Sequence, residues 1–263
     1  MSDDRRRLVV ERDGHVLRIG LDRPEKRNAA DLRMLRELAL AYGELDRDPE
    51  LRVGLVHALG DHFTAGLDLA DVVPAVTATG LDVVPEGGVD PWRVDGSAVS
   101  KPVVLAVRGT CFTLGVELAL AADVVVAGRS TQFAQLEVSR GILPFGGATT
   151  RLPRPVGWGD AMRWLLTGDR FGADEALRIG LVQEVVADED VLSRGAELAH
   201  RIAGQAPLAV QATLASARLA AREGEAAAEE RLQPELVRLI ATDDARLGAE
   251  ASARRTAPEW SGR

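Results

Sequence analysis

Apolar residues recur along this chain with two different periods, and the switches between them mark its elements. Leu8 to Glu11 and His15 to Leu21 read as strands joined at Asp13-Gly14, a pair suited to a tight hairpin. Asp31 is placed to N-cap a helix running to about Asp46, along which Leu32, Leu35, Leu38, Ala39 and Tyr42 recur at helical spacing. Val53 to Ala58, Val103 to Val107 and Asp123 to Ala127 are short Val-rich runs of the buried-strand kind. Asp61 to Asp71 reads as a loop that turns helical. Pro74 to Gly96 has no clear period and holds much of the Gly and Pro, as expected of a surface excursion that lines or covers a site. After Gly157 helical patterns dominate: Asp160 to Leu166, Ala173 to Ile179, Val191 to Ala203, Leu208 to Glu223, Gln233 to Ala241 and Ala245 to Arg255. Strand, turn and helix alternate before that point, so the expectation is an α/β fold. The helical last stretch would cover the core or make oligomer contacts.

Composition narrows the function classes. The 263 residues suit one large domain, or one domain with a small appendage. A net charge of −8 argues against a nucleic-acid partner, which needs a basic face. A single cysteine, Cys111, excludes an intramolecular disulfide and suits a reducing compartment. Within an apolar run it reads as a small buried hydrophobe. No signal-peptide pattern follows the start, and no apolar stretch approaches the roughly 20 residues of a membrane span. The expected location is cytoplasmic, away from membranes. Metal-spaced Cys/His clusters, G-x-S-x-G, G-x-G-x-x-G and phosphate-loop motifs are missing from the sequence, so no metal, flavin or nicotinamide is expected.

The candidate chemistry lies in two glutamates. Glu117 sits in Gly115-Val116-Glu117-Leu118-Ala119, and Glu137 follows Phe133-Ala134-Gln135-Leu136. A carboxylate in such an apolar, small-residue segment is partly buried, and burying charge is costly unless offset. Two facing one cavity would have their pKa values pushed apart, the condition for an acid and base pair. Taken singly, Glu117 reads equally as a helix N-terminal glutamate favoured by the macrodipole, and Glu137 as a solvated loop residue. Two Gly-containing segments, Phe63 to Leu69 and Thr113 to Gly115, precede helices and offer free backbone N–H donors that could form an oxyanion hole. Arg23, Lys26 and Arg27 form the one compact basic cluster, a phosphate site or a solvated charge run. His62, beside the first donor segment, could touch a ligand; His15, His57 and His200 read as structural.

Together these residues resemble the crotonase family, the enoyl-CoA hydratase/isomerase superfamily, over nearly the whole chain. The resemblance runs through Arg23-Pro24 with Asn28-Ala29, Ala65-Gly66-Leu67-Asp68-Leu69, Lys101-Pro102-Val103 and Ala106-Val107-Arg108-Gly109. It continues through Glu117-Leu118-Ala119 with Asp123, Phe133 with Glu137, Gly141-Ile142-Leu143-Pro144, Arg151-Leu152-Pro153 and Gly180-Leu181-Val182. It implies a spiral of β-β-α units, residues 1–200, with a helical C-terminal region, residues 201–263, that makes trimer or hexamer contacts. It further implies an acyl-CoA thioester substrate, with coenzyme A entering as part of that substrate rather than as a cofactor. By resemblance the backbone N–H groups of Leu67 and Leu114 are the oxyanion donors. Glu117 accepts a proton from water and Glu137 protonates the α-carbon. Arg23, Lys26, Arg27, Ala65, Gly66, Asp68 and Leu69 bind the CoA ester.

The chain departs from the family pattern at Thr113 and Leu114, which stand where glycines are usual. At Leu114 a bulky side chain would constrain φ and narrow the acyl pocket. Arg108, Leu136, Leu247 and Ser252 also differ from the usual residues. Hydration of a trans-2-enoyl-CoA is the leading expectation. The alternatives are isomerisation within the same family and non-catalytic acyl-CoA binding. A glycosidase using paired carboxylates is disfavoured by only four Trp and one Tyr.

Overall fold

Strand β4 shows why the core has two sides. In the computed structural model, which describes residues 5–77, 80–94, 96 and 98–263, β4 spans Val103–Val107 and every residue of it is buried. Val103, Leu105 and Val107 face the larger hydrophobic core, while Val104 and Ala106 face a second one. Such a strand must lie inside a sheet covered on both faces. That sheet has the order β1-β2-β3-β4-β6-β9. Strands β1 (Leu8–Asp13) and β2 (Val16–Leu21) form the antiparallel hairpin expected around Asp13-Gly14. Strands β3 (Val53–Ala58), β4, β6 (Val124–Gly128) and β9 (Glu184–Val186) continue it in parallel. A second sheet joins β5 (Thr110–Phe112), β7 (Gln132–Ala134) and β8 (Phe171–Gly172).

The helices, in chain order, are α1 (Leu32–Arg47), α2 (Leu69–Val72), α3 (Leu114–Ala121), α4 (Ala148–Arg151), α5 (Pro153–Val156), α6 (Trp158–Thr167), α7 (Ala173–Arg178), α8 (Val191–Ala203), α9 (Pro207–Glu223), α10 (Glu225–Ile240) and α11 (Asp243–Arg254). Helix α1 begins as the sequence requires: the Asp31 side chain accepts from the Met34 N–H at 2.9 Å. Its Met34, Leu35, Leu38 and Leu45 enter the larger core, and α8 closes the other face with Val191, Ala199 and Ala203. Between α6 and the small sheet, Phe171 stacks on Phe133 at 5.6 Å and packs at a tilt against Trp164 at 4.6 Å.

One reading of the sequence needs correction. The helix expected from Gln233 begins at Glu225, with Pro234 inside it; tertiary packing carries the helix through the proline. The two- and three-residue strands β5, β7, β8 and β9 are too short to show a period. Pro74 to Gly96 contains Ala78, Thr79 and Asp95, which lie outside the described residues. Within the remainder, Trp92 is buried and its Nε1–H donates to the Leu114 carbonyl at 3.0 Å. No helix among the described residues is long and apolar enough to cross a membrane.

Asp31 ties the fold to the loop that follows β3. Its second oxygen accepts from the buried Arg7 Nε at 2.7 Å, and Arg23 approaches the same carboxylate at 3.7 Å while pairing with Asp68 at 2.8 Å. Asp31→Ala removes both the cap and the carboxylate between two guanidiniums. It should cost about 3–5 kcal/mol, read as a lowered urea midpoint with an unchanged m-value; a loss below ~1 kcal/mol would show the pair contributes only as a cap.

Candidate active site

Three stacked rungs of chain bring the candidate residues together. Thr64 forms a parallel bridge with Cys111 of β5, and Cys111 pairs with Phe133 of β7. The bridge is held by Thr64 N–H to Thr110 O (2.9 Å) and Phe112 N–H to Thr64 O (3.0 Å). A further bond, Thr113 N–H to Ala134 O at 2.8 Å, carries the pairing past the strand ends. Leu67 lies three residues beyond Thr64, Leu114 three beyond Cys111, and Glu137 four beyond Phe133. The register of the small sheet therefore delivers all three to one place.

Leu67 is fixed by a parallel bridge to Ala30, through Ala30 N–H to Gly66 O (2.8 Å) and Asp68 N–H to Ala30 O (2.9 Å). Gly66 N–H donates to Thr64 Oγ1 (3.1 Å) and Ala65 N–H to Arg27 O (2.9 Å). The Leu67 N–H takes no part in this set. In the next rung, α3 starts at Leu114, whose N–H belongs to the first turn and has no intrahelical acceptor. Thr113 stands at the N-cap, yet its hydroxyl makes no cap bond. Instead Oγ1 lies against Gly66, where an added Cβ would come within 2.2 Å of it. The constraint expected at Leu114 falls one residue earlier: Thr113 has φ 50°, ψ −113°, while Leu114 is helical.

Glu117 is one turn into α3 and 2% exposed. Its Oε1 accepts from the Ala148 N–H at 3.1 Å. Gly146 lets the loop close on the carboxyl, since a Cβ there would stand 2.6 Å from Oε2. Burial pushes the Glu117 carboxyl up to about 7, helped by the nearby Glu137 charge and opposed by the Ala148 and Gly146 N–H groups and by Arg151. Glu137 opens a short 3-10 turn, is buried, and is likewise raised by burial. In the amide orientation that satisfies both its oxygen and its nitrogen, buried Gln135 donates to both Glu137 oxygens (3.1 and 3.2 Å) and to Thr113 O (3.2 Å).

A small cavity is lined by both glutamates and both donor segments, with Leu69, Arg140, Ile142 and Phe145 completing its wall. It offers about 20 Å³ to a water-sized group, roughly the room one water needs. Exposed Ile142, Leu143 and Phe145 give its surroundings an apolar rim. Of the residues singled out in the sequence, Glu117, Glu137, Leu67, Leu114 and Leu69 line this cavity, and Ala65, Gly66 and Asp68 hold the Leu67 loop. Arg23 does not face outward; it is spent inside the fold on Ala29 O and Asp68, both at 2.8 Å. Lys26 and Arg27 are exposed beside it. His62 supports the loop, its Nδ1 accepting from Thr110 N–H at 3.2 Å. Burial pushes the Cys111 thiol up and keeps it unreactive. Gln135, Trp92 and Arg151 were given no role from the sequence; only the folded chain shows the first two bonded to the site and Arg151 acting on Glu117. Among the described residues no three His, Cys, Asp or Glu side chains gather as a metal cage.

A family model for enoyl-CoA hydratase/isomerase matches residues 11–263. Enoyl-CoA hydratase EchA19 of Mycobacterium tuberculosis is 34% identical, covering 97% of this chain and 96% of the relative. Carnitinyl-CoA dehydratase of Salmonella typhi is also 34% identical, covering 97% and 98%. The solved structure of a "probable enoyl-CoA hydratase/isomerase" from Mycobacterium abscessus is 55% identical, covers 98% of this chain and 99% of its own, and superposes with a TM-score of 0.95. A solved enoyl-CoA hydratase from M. tuberculosis H37Rv gives 0.89 at 33% identity, covering 98% and 100%.

The raised Glu117 carboxyl makes stability depend on pH. The native state keeps that proton up to about pH 7, whereas the ordinary value is 4.5. Stability is therefore lost as pH rises through that window. Glu117→Gln keeps an acceptor for the Ala148 N–H and carries no charge. It should exceed wild type at pH 8 by up to ~3 kcal/mol, the gain vanishing near pH 4.5. Urea unfolding of both proteins from pH 4.5 to 8 checks this; a pH-independent difference would sink it.

Proposed function

The chain belongs to the enoyl-CoA hydratase/isomerase family, and on that premise we propose that it adds water across the α,β double bond of a trans-2-enoyl-CoA thioester. The observation that carries the proposal is the cavity lined at once by Glu117, Glu137, Leu67 and Leu114. The names of the relatives support it: a hydratase and a dehydratase carry out one type of reaction, addition or removal of water, in opposite directions.

In this reading, water held between the carboxyls attacks the β-carbon while Glu117 takes its proton. Glu137 delivers a proton to the α-carbon, so that the elements of one water are added. Negative charge builds on the thioester oxygen as the β-carbon is attacked. The Leu67 and Leu114 N–H groups meet that charge, and such a preorganised donor is worth roughly 2.7–4 kcal/mol. The chemistry needs one ionised and one neutral carboxyl. Burial raises both, and the Glu137 charge raises Glu117 further, which favours a pair that holds a single proton; their titration belongs to the pair rather than to either residue. Gln135 fixes the Glu137 oxygens.

The exposed Lys26 and Arg27 are the cations we assign to the CoA phosphates, with Arg23 holding the segment from within. We assign the C-terminal region to contacts between subunits, in line with the exposed Leu232, Leu236, Val237 and Ile240 on α10.

Glu137→Gln should lower turnover of trans-2-enoyl-CoA by at least ~100-fold, in the range of a lost acid catalyst, and leave CoA-ester binding within about threefold. Loss of enoyl-thioester absorbance across a chain-length panel measures the first, and calorimetric titration the second. A near wild-type rate would overturn the role given to Glu137. Binding without turnover in the wild-type protein would favour an acyl-CoA-binding protein.

A further inference from the structure

A second cavity, of about 490 Å³, lies next to the first and shares no lining residue with it. Its wall includes Leu120, one turn beyond Glu117 on α3, together with Thr150 and Arg151, which follow the Gly146–Ala148 loop that closes on Glu117. Arg93, Arg151, Arg154, Arg218 and Arg222 also face it, and among the described residues no acidic side chain lines it. The protein as a whole carries a net charge of −8, so five guanidiniums in one cavity run against its composition.

Among the described residues only one of the five arginines, Arg218, is paired with a carboxylate. Arg218 pairs with Asp123 at 3.0 Å, but its Nε is buried with no partner. Among the described residues Arg151 donates only to the carbonyls of Gly146 (3.3 Å) and Arg93 (2.9 Å). The side chains of Arg93, Arg154 and Arg222 meet no carboxylate among the described residues. Asp123, which acts favourably on Arg93, is taken by Arg218, and Asp90 and Glu117 act favourably on Arg151 without a direct bond to it. Burial and the neighbouring Arg218 and Arg151 push the Arg93 guanidinium down to about 10. Like charges held this close repel one another, and an oxyanion among them would turn that repulsion into attraction.

We propose that this cavity is a carboxylate-binding site, with Arg93, Arg154 and Arg222 as its open donors. Two sources supply that chemistry. One is a terminal carboxylate on the substrate's own acyl chain, a source that rests on the hydratase reading and fits a cavity built on the helix and loop of Glu117. The other is a free dicarboxylate, which needs no such reading.

The test is calorimetric titration of the full-length protein in its own oligomeric state, which reads binding whether or not the protein turns over an enoyl thioester. The first arm uses succinate against its uncharged analogue succinamide. The second uses trans-2-enoyl-CoA esters of equal length ending in a carboxylate or a methyl group. Both arms are run on wild type, on Arg93→Gln/Arg154→Gln, and on Arg222→Gln. Among the described residues these side chains donate no hydrogen bond and form no ion pair, so unfolding midpoints should not fall below wild type; if one variant fails to fold, the other variant and the succinate–succinamide comparison remain. For the tail source, the carboxylate ester binds at least about tenfold tighter than the methyl ester, and the advantage disappears in the variants. For the free source, succinate binds and succinamide does not, the variants weaken it by at least about tenfold, and the two esters bind alike. If neither succinate nor the carboxylate ester binds in an arginine-dependent way, the proposal is wrong.

Discussion

The parallel register of the small sheet is the constraint on which the rest depends. Thr64, Cys111 and Phe133 are neighbours only because β5 and β7 pair in that register and the Thr64 bridge extends it. A slip of one residue would turn every side chain of a rung to the opposite face. Cys111 and Phe133, both wholly buried, would then leave the core, so hydrophobic burial holds the register. Leu67, Leu114 and Glu137 follow at fixed offsets, so packing of the core is also placement of the site. The bond from Thr113 N–H to Ala134 O extends this control into the loops, where no strand remains to impose it.

Burying two carboxyls beside each other opposes stability, and the fold offsets that cost only in part. Glu117 receives an N–H from Ala148 and Glu137 two contacts from Gln135. Among the described residues neither has a cation in direct contact; Arg151 and Arg140 act on them from a distance. A full salt bridge would hold both carboxyls ionised and remove the proton the pair needs. The partial compensation is what keeps the two in reach of different protonation states.

Much of this was legible in the sequence, and the reasons for the rest are physical. Strands β3 and β4, helix α1 and its Asp31 cap follow from local pattern, because each buries a face whose period is written in its own residues. Glu117 and Glu137 stood out because charge interrupts apolar runs. The bonds of Arg23 were not legible, because its neighbours in sequence, Lys26 and Arg27, are exposed, while Asp68 and Ala29, which bind it, come close only on folding. The five-arginine cavity was invisible for the same reason: residues 93, 151, 154, 218 and 222 come from separate segments. Gln135 and Trp92 gave no local signal, since a buried amide and a buried indole are common in any core.

Thr113 shows how the two donor loops constrain each other. A threonine before a helix ordinarily turns its hydroxyl back to the first free N–H groups. Here φ is positive, the hydroxyl turns to Gly66 instead, and the N–H groups of the α3 first turn stay uncapped. Gly66 in turn can bear no side chain: its φ is +103°, and a Cβ would overlap Thr113 Oγ1. One loop carries the side chain and the other must lack it. The strain of a positive φ at a β-branched residue, of order 1–3 kcal/mol, is accepted where contact between the loops sets the spacing of Leu67 and Leu114. Replacing a glycine by threonine at this point therefore need not remove a donor; it stiffens the separation between two of them.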